Sequence, residues 1–74
     1  MDITRVNIII KEEYTNGYGE LMTMVVDDRG NMYCNHTDYD PNEWLTLKDF
    51  LKILLTEEEQ NALMEFIQKH LCDD

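Results

Sequence analysis

Every cysteine and histidine of the chain falls in one of two short pairs, Cys34-x-His36 and His70-x-Cys72. Thiolate and imidazole are the usual ligands of zinc, and four of them could close a tetrahedral site. Cys34 and His36 share one face of a strand. On a helix, however, His70 and Cys72 stand roughly 200° apart, so a four-ligand site closes only if the C-terminal end of the helix frays. We therefore expect no metal, with Cys34 a small core hydrophobe, His70 flanking the core and Cys72 exposed. A Cys34/His36 catalytic dyad fails as well, because side chains two apart on a strand do not normally come within hydrogen-bond reach.

Other chemistry is thinner still. Asp38-x-Asp40-x-Asn42 followed by Asp49 echoes a calcium loop, but the place that needs a turn-making glycine holds Glu43, and the last ligand is Asp instead of Glu. Capping and solvation explain these carboxylates better. Gly17-Tyr18-Gly19 lacks the third glycine, the Lys-Thr/Ser ending and the following helix of a phosphate cradle. Serine is absent from the chain, which removes serine-nucleophile mechanisms. No catalytic residue and no cofactor are expected.

What remains is surface. Asp38, Asp40 and Glu43 crowd a linker, and Asp49, Glu57, Glu58 and Glu65 fall on the polar faces of candidate helices, together offering an acidic surface to a partner. Tyr14 and Tyr18 flank a hairpin tip, and Tyr39 and Trp44 sit in the acidic linker. Tyr and Trp often anchor protein interfaces, although covering the edge of a thin core is the simpler role for Trp44. Leu21, Val25 and Tyr33, with Ile9, are expected on the outer face of a sheet that no remaining element covers.

These residues need elements to position them. Two helix start signals, Thr46-Leu-Lys-Asp49 and Thr56-Glu-Glu-Glu59, place a hydroxyl that can cap a free N–H three residues ahead of a carboxylate that can bond back. The spacing predicts helices over about 46–55 and 57–71. Leu47, Phe50, Leu51 and Leu54 make the apolar stripe of the first, and Leu63, Phe66, Ile67, His70 and Leu71 that of the second. Short helices need tertiary packing, so both must lie against something.

That something is the N-terminal half. Val6, Ile8 and Ile10 alternate with polar or outward residues, the period of a strand with one buried face. Asn16-Gly17-Tyr18-Gly19 is a turn signal. Asp27-Asp28-Arg29-Gly30 suits a three-residue hairpin loop with Gly30 left-handed. If Asp27 pairs with Asn31, Val26 faces Met32, Met24 faces Cys34 and Met22 faces His36, and a slip of one residue would turn this apolar set to the wrong side. Strands are predicted over about 3–12, 20–27 and 31–36. The chain is thus an α+β domain, a three-stranded antiparallel meander followed by two helices packed on one face (βββαα).

Composition bounds the function. At 74 residues the chain is a single small domain of limited stability, and with 43% apolar residues it folds. Sixteen acidic against six basic residues give a net charge of −10. Direct binding of nucleic acid, which gains from Lys and Arg that release counterions, is disfavoured. A basic partner is favoured. Two cysteines are too few for a secreted disulfide scaffold, and Met1-Asp2 leads into a strand without a signal region, so a cytoplasmic protein is expected. No apolar run approaches the ~20 residues that cross a bilayer.

In size and acidity the chain resembles phage-encoded inhibitors of bacterial defence systems, anti-CRISPR proteins among them. The resemblance is one of composition and covers no motif. It implies a non-enzymatic inhibitor of a larger, basic, nucleic-acid-binding protein, with carboxylates standing in for phosphates. The alternative is an interaction subunit or homodimer that uses the sheet's outer face, its acidity serving solubility.

Overall fold

A computed structural model describes residues 5–37 and 43–71. Four antiparallel strands lie in the order of the chain: β1 (Ile8–Thr15), β2 (Leu21–Asp27), β3 (Met32–His36) and β4 (Leu45–Thr46). Two helices follow, α1 (Leu47–Phe50) and α2 (Glu57–His70). The α+β class is as expected, and the sheet gains a strand.

The register of β2 on β3 is the one the apolar alternation demands: Val26 faces Met32, Met24 faces Cys34 and Met22 faces His36. Asp27 closes the turn between them. Its carboxylate accepts from the backbone N–H of Arg29 (3.0 Å) and Asn31 (2.8 Å), while Gly30 takes φ 84°, a conformation that costs glycine little. At the first turn only Gly19 is left-handed (φ 81°), so one of the two glycines, Gly17, needs no special freedom. β1 starts later and runs further than its sequence period indicates. It carries an irregularity between Ile8, opposite Asp27, and Ile10, opposite Val26.

Met22, Met24, Val26, Met32 and Cys34 form the floor, and Phe50, Leu55, Leu63 and Phe66 close on it from the helical side. Ile10 packs at the margin; Ile8 and Val6 are half-buried. Along α2 the expected stripe holds: Leu63 and Phe66 are buried, Ile67, His70 and Leu71 partly so, and Glu57, Glu58, Asn61, Glu65 and Gln68 face out.

α1 departs from expectation. Thr46 caps it, accepting from the Asp49 N–H (3.3 Å), but the helix stops after one turn. Tighter bonds from Lys52 N to Asp49 O (3.2 Å) and from Ile53 N to Phe50 O (3.1 Å) end it. Phe50 is fully buried, and beyond it Ile53 and Leu55 turn inward while Leu54 points out, which is an extended alternation. A leucine-rich run fits either period, and burial of Phe50 and Leu55 together selects the shorter helix. Leu51 and Leu54, expected on a buried stripe, are exposed.

β4 was not legible because two residues carry no period. It adds to β3 through Cys34 opposite Leu45 and Tyr33 opposite Thr46. The sheet's outer face is also less open than expected. Val25 is only 2% exposed, Thr23 and Asn35 are buried, and Leu21 and Tyr33 are half-buried; Ile9 alone of the named set is largely exposed. Thr23 and Val25 lie on a strand flanked on both sides. Asn35 donates from its amide to the Glu43 carbonyl (3.1 Å), which brings the approach to β4 against that end of the face.

Candidate interaction surface

The placement of the acidic surface depends on one buried carboxylate. Thr56 and Glu59 form the full capping box that their spacing foretells: Glu59 N–H donates to the Thr56 hydroxyl (3.2 Å), and Thr56 N–H donates to a Glu59 oxygen (2.9 Å). The other Glu59 oxygen turns into the protein. There it meets the imidazole of His36, at the end of β3, and the amide of Asn16 (3.4 Å). Asn16 in turn organises the first hairpin turn, donating to Glu20 (2.7 Å) and accepting from the N–H groups of Tyr18 (2.9 Å) and Glu20 (3.0 Å). One polar cluster thus ties α2, β3 and the β1–β2 turn together. Burial pushes the Glu59 carboxyl up, but the Thr56 N–H, the His36 imidazole and the Thr56 hydroxyl outweigh it and hold the group below its usual range.

A second pair repeats the theme at the far end of α2. His70 bonds to Glu12 of β1, Lys69 lies 3.4 Å from the same carboxylate, and the His70 ring packs on Phe66 with centroids 4.8 Å apart. The His70 bond is the largest cause of a lowered Glu12 pKa; desolvation opposes it and Lys69 adds to it. Both histidines are therefore engaged by carboxylates from other elements.

Clamped in this way, the first turn of α2 and the hairpin tip enclose an open groove lined by Asn16, Gly17, Tyr18, Thr56, Glu57, Glu58 and Asn61. Tyr18 stands on its rim, 84% exposed. The Tyr14 hydroxyl donates to Glu58 (3.2 Å), and desolvation, followed by that carboxylate, raises the Tyr14 pKa. From the groove an outward stripe continues through Asn61, Glu65 and Gln68. Among the described residues no cation pairs with Glu57 or Glu65. Glu57 and Glu58 have a local reason to be acidic, since the helix N-terminus favours negative charge. Glu65, two turns on, has none.

The remaining candidates scatter. Asp49 is exposed and lies 3.7 Å from Lys52. Glu43 is exposed and Trp44 half-buried. Asp38, Tyr39 and Asp40 lie outside the described residues, as does Cys72. Leu21, Val25 and Tyr33 are on the sheet's other side and do not join the groove. Cys34 is a buried free thiol, pushed up to about 12 by desolvation, which suits a core residue and not a nucleophile. Among the described residues no three of His, Cys, Asp and Glu are grouped so as to hold a metal.

The sequence signalled the capping box but not the inward turn of Glu59, because its partners His36 and Asn16 are 23 and 43 residues away. Among the described residues no helix is long and apolar enough to cross a membrane. No family model, curated protein or solved structure matches this chain.

Proposed function

We propose that the chain is a small acidic binding protein that occupies the cationic surface of a larger, nucleic-acid-binding protein and so inhibits it. The observation that carries this reading is the outward face of α2, where Glu57, Glu58 and Glu65 stand exposed on one side of the helix, without lysine partners among the described residues, with the exposed ring of Tyr18 beside its first turn. Lysine or arginine entering the groove meets carboxylates and an aromatic face together, and each attracts a cation. A net charge of −10 supplies the long-range attraction. The likeness in size and acidity to phage-encoded inhibitors of defence systems accords with this reading. A cytoplasmic setting goes with that reading.

The alternative, an interaction subunit or homodimer built on the sheet's outer face, has less support, because Val25 is buried and Leu21 and Tyr33 are half-buried.

Immobilised protein should capture a basic partner from bacterial lysate at low salt. The on-rate for the purified partner should then drop steeply as salt shortens the Debye length to ~8 Å and below. Exchange of Glu57, Glu58 and Glu65 for Gln should lower the low-salt on-rate while leaving the circular dichroism spectrum unchanged. An on-rate indifferent both to salt and to the triple exchange would sink the proposal.

A further inference from the structure

Asn16, which organises the first hairpin turn, is the only asparagine of the chain that is followed by glycine. The turn sets that glycine no conformational task. Gly17 is not left-handed, and a methyl group built on its Cα would meet nothing within 4 Å. An Asn-Gly pair does have a chemistry of its own, because a glycine without a side chain lets its backbone nitrogen come close to the asparagine side chain.

The Gly17 nitrogen attacks Asn16 Cγ and gives up its proton. An N–C bond forms, the bond from Cγ to Nδ2 breaks, and Nδ2 leaves with that proton as ammonia. Water then opens the resulting cyclic imide at either carbonyl. The residue becomes aspartate, or isoaspartate with the backbone lengthened by one methylene, and in both a neutral amide has been replaced by a carboxylate. Water enters, ammonia departs, and no oxidant or metal takes part.

The fold restrains this reaction. Asn16 is 7% exposed, and its side chain is held at both ends. Oδ1 accepts from the N–H groups of Tyr18 and Glu20, and Nδ2 donates to the carboxylates of Glu20 and Glu59. Swinging Cγ onto the Gly17 nitrogen breaks these bonds, so the reaction waits on local opening of the turn. The same bonds make the product disruptive. Where Nδ2 donated at 2.7 Å to Glu20 and at 3.4 Å to Glu59, a third carboxylate oxygen now faces the other two, and repulsion replaces both contacts.

We propose that Asn16-Gly17 is a self-modification site gated by the fold. The closed cluster protects the amide, each opening of the turn exposes it to cyclisation, and the carboxylate so formed loosens the attachment of α2 to the hairpin. The change runs one way, so the chain records the time its turn has spent open. The site works in this manner whether or not a basic partner fills the groove.

Peptide mapping by mass spectrometry, after incubation in mildly alkaline buffer with and without guanidinium chloride, tests it. In the unfolded chain residue 16 should convert ahead of every other asparagine, and in native buffer its conversion should be slower by roughly tenfold or more. Glu59→Ala, which takes away one acceptor of Nδ2, should raise the native rate. Gly17→Ala should suppress conversion in both buffers without lowering the melting temperature, since the added methyl has open space. Asn16→Asp should melt roughly 5 °C or more below the parent at neutral pH. Adding Glu20→Gln to it, which puts a donor where a carboxylate stood, should recover part of that loss. Equal rates with and without denaturant overturn the gating, and faster conversion at another asparagine of the unfolded chain overturns the site. An Asn16→Asp chain that melts with the parent, or one that Glu20→Gln does not help, overturns the loosening by charge.

Discussion

Replacing Glu59 by Ala should be among the most damaging single exchanges on α2, although the residue sits in a run of three glutamates of which the other two are exposed. The exchange removes the acceptor for the Thr56 N–H, which is worth about 1 kcal/mol for a net hydrogen bond. It also removes the carboxylate from a buried pair with His36, and breaking such a pair from one side costs about 3–5 kcal/mol. A domain of this size has a total stability of order 4–11 kcal/mol by the usual per-residue range. The loss should therefore lower the melting temperature by roughly 15 °C or more, taking about 4–8 °C per kcal/mol for small domains. Glu57→Ala at the exposed neighbour should shift it by little. Glu59→Gln, which keeps an acceptor for Thr56, should fall between. The sign with pH follows from the depressed carboxyl: its contribution is fully present above the usual carboxylate value of 4.5 and is lost as pH drops through the lower folded value. Glu59→Gln should accordingly flatten part of the acid limb of stability. Thermal melts of the three variants from neutral to acid pH decide the matter. If Glu59→Ala melts within a degree or two of Glu57→Ala, the buried cluster does not hold α2 to the sheet.

Met24→Asp should abolish cooperative unfolding, since a buried unpaired carboxylate costs several kcal/mol. Thr23→Asp should also destabilise despite facing the other side, because Thr23 is buried; a wild-type melting curve for Thr23→Asp would contradict that burial. In a Cys72→Ala background, Cys34 should resist a thiol reagent at neutral pH until denaturant is added, its pKa lying near 12; rapid native labelling would show an open core. Gly30→Ala should cost about 1 kcal/mol through its φ of 84°, read as a lower urea midpoint, whereas an unchanged midpoint would mean the turn relaxes freely.

What could be read in advance, and what could not, divides along the range of the interactions. The β2–β3 register was legible because Met22, Met24 and Val26 oppose Met32 and Cys34 across a turn whose chemistry Asp27 and Gly30 supply locally. The start of α2 was legible for the same reason, since Thr56 and Glu59 are three apart. The length of α1 was not, because the Ile53–Leu55 run supports a helix locally and an extended chain once Phe50 is buried. The exposure of Leu51 and Leu54 follows from that difference. Of the acidic surface, the outward face of α2 was read correctly from its period, while the hidden role of Glu59 depends on residues that only the fold brings near.

The irregular start of β1 has a consequence for how the chain behaves in a crowded solution. β1 is an edge strand, and Ile8-Ile9-Ile10 would be a template for strand addition by any passing extended chain. The register shift between Ile8 and Ile10 breaks the straight ladder such a strand would need. Directly after it, Lys11, Glu12 and Glu13 place three charges along the same edge. Both features are of the gatekeeper kind, and straightening the edge while neutralising those charges would open it to strand addition.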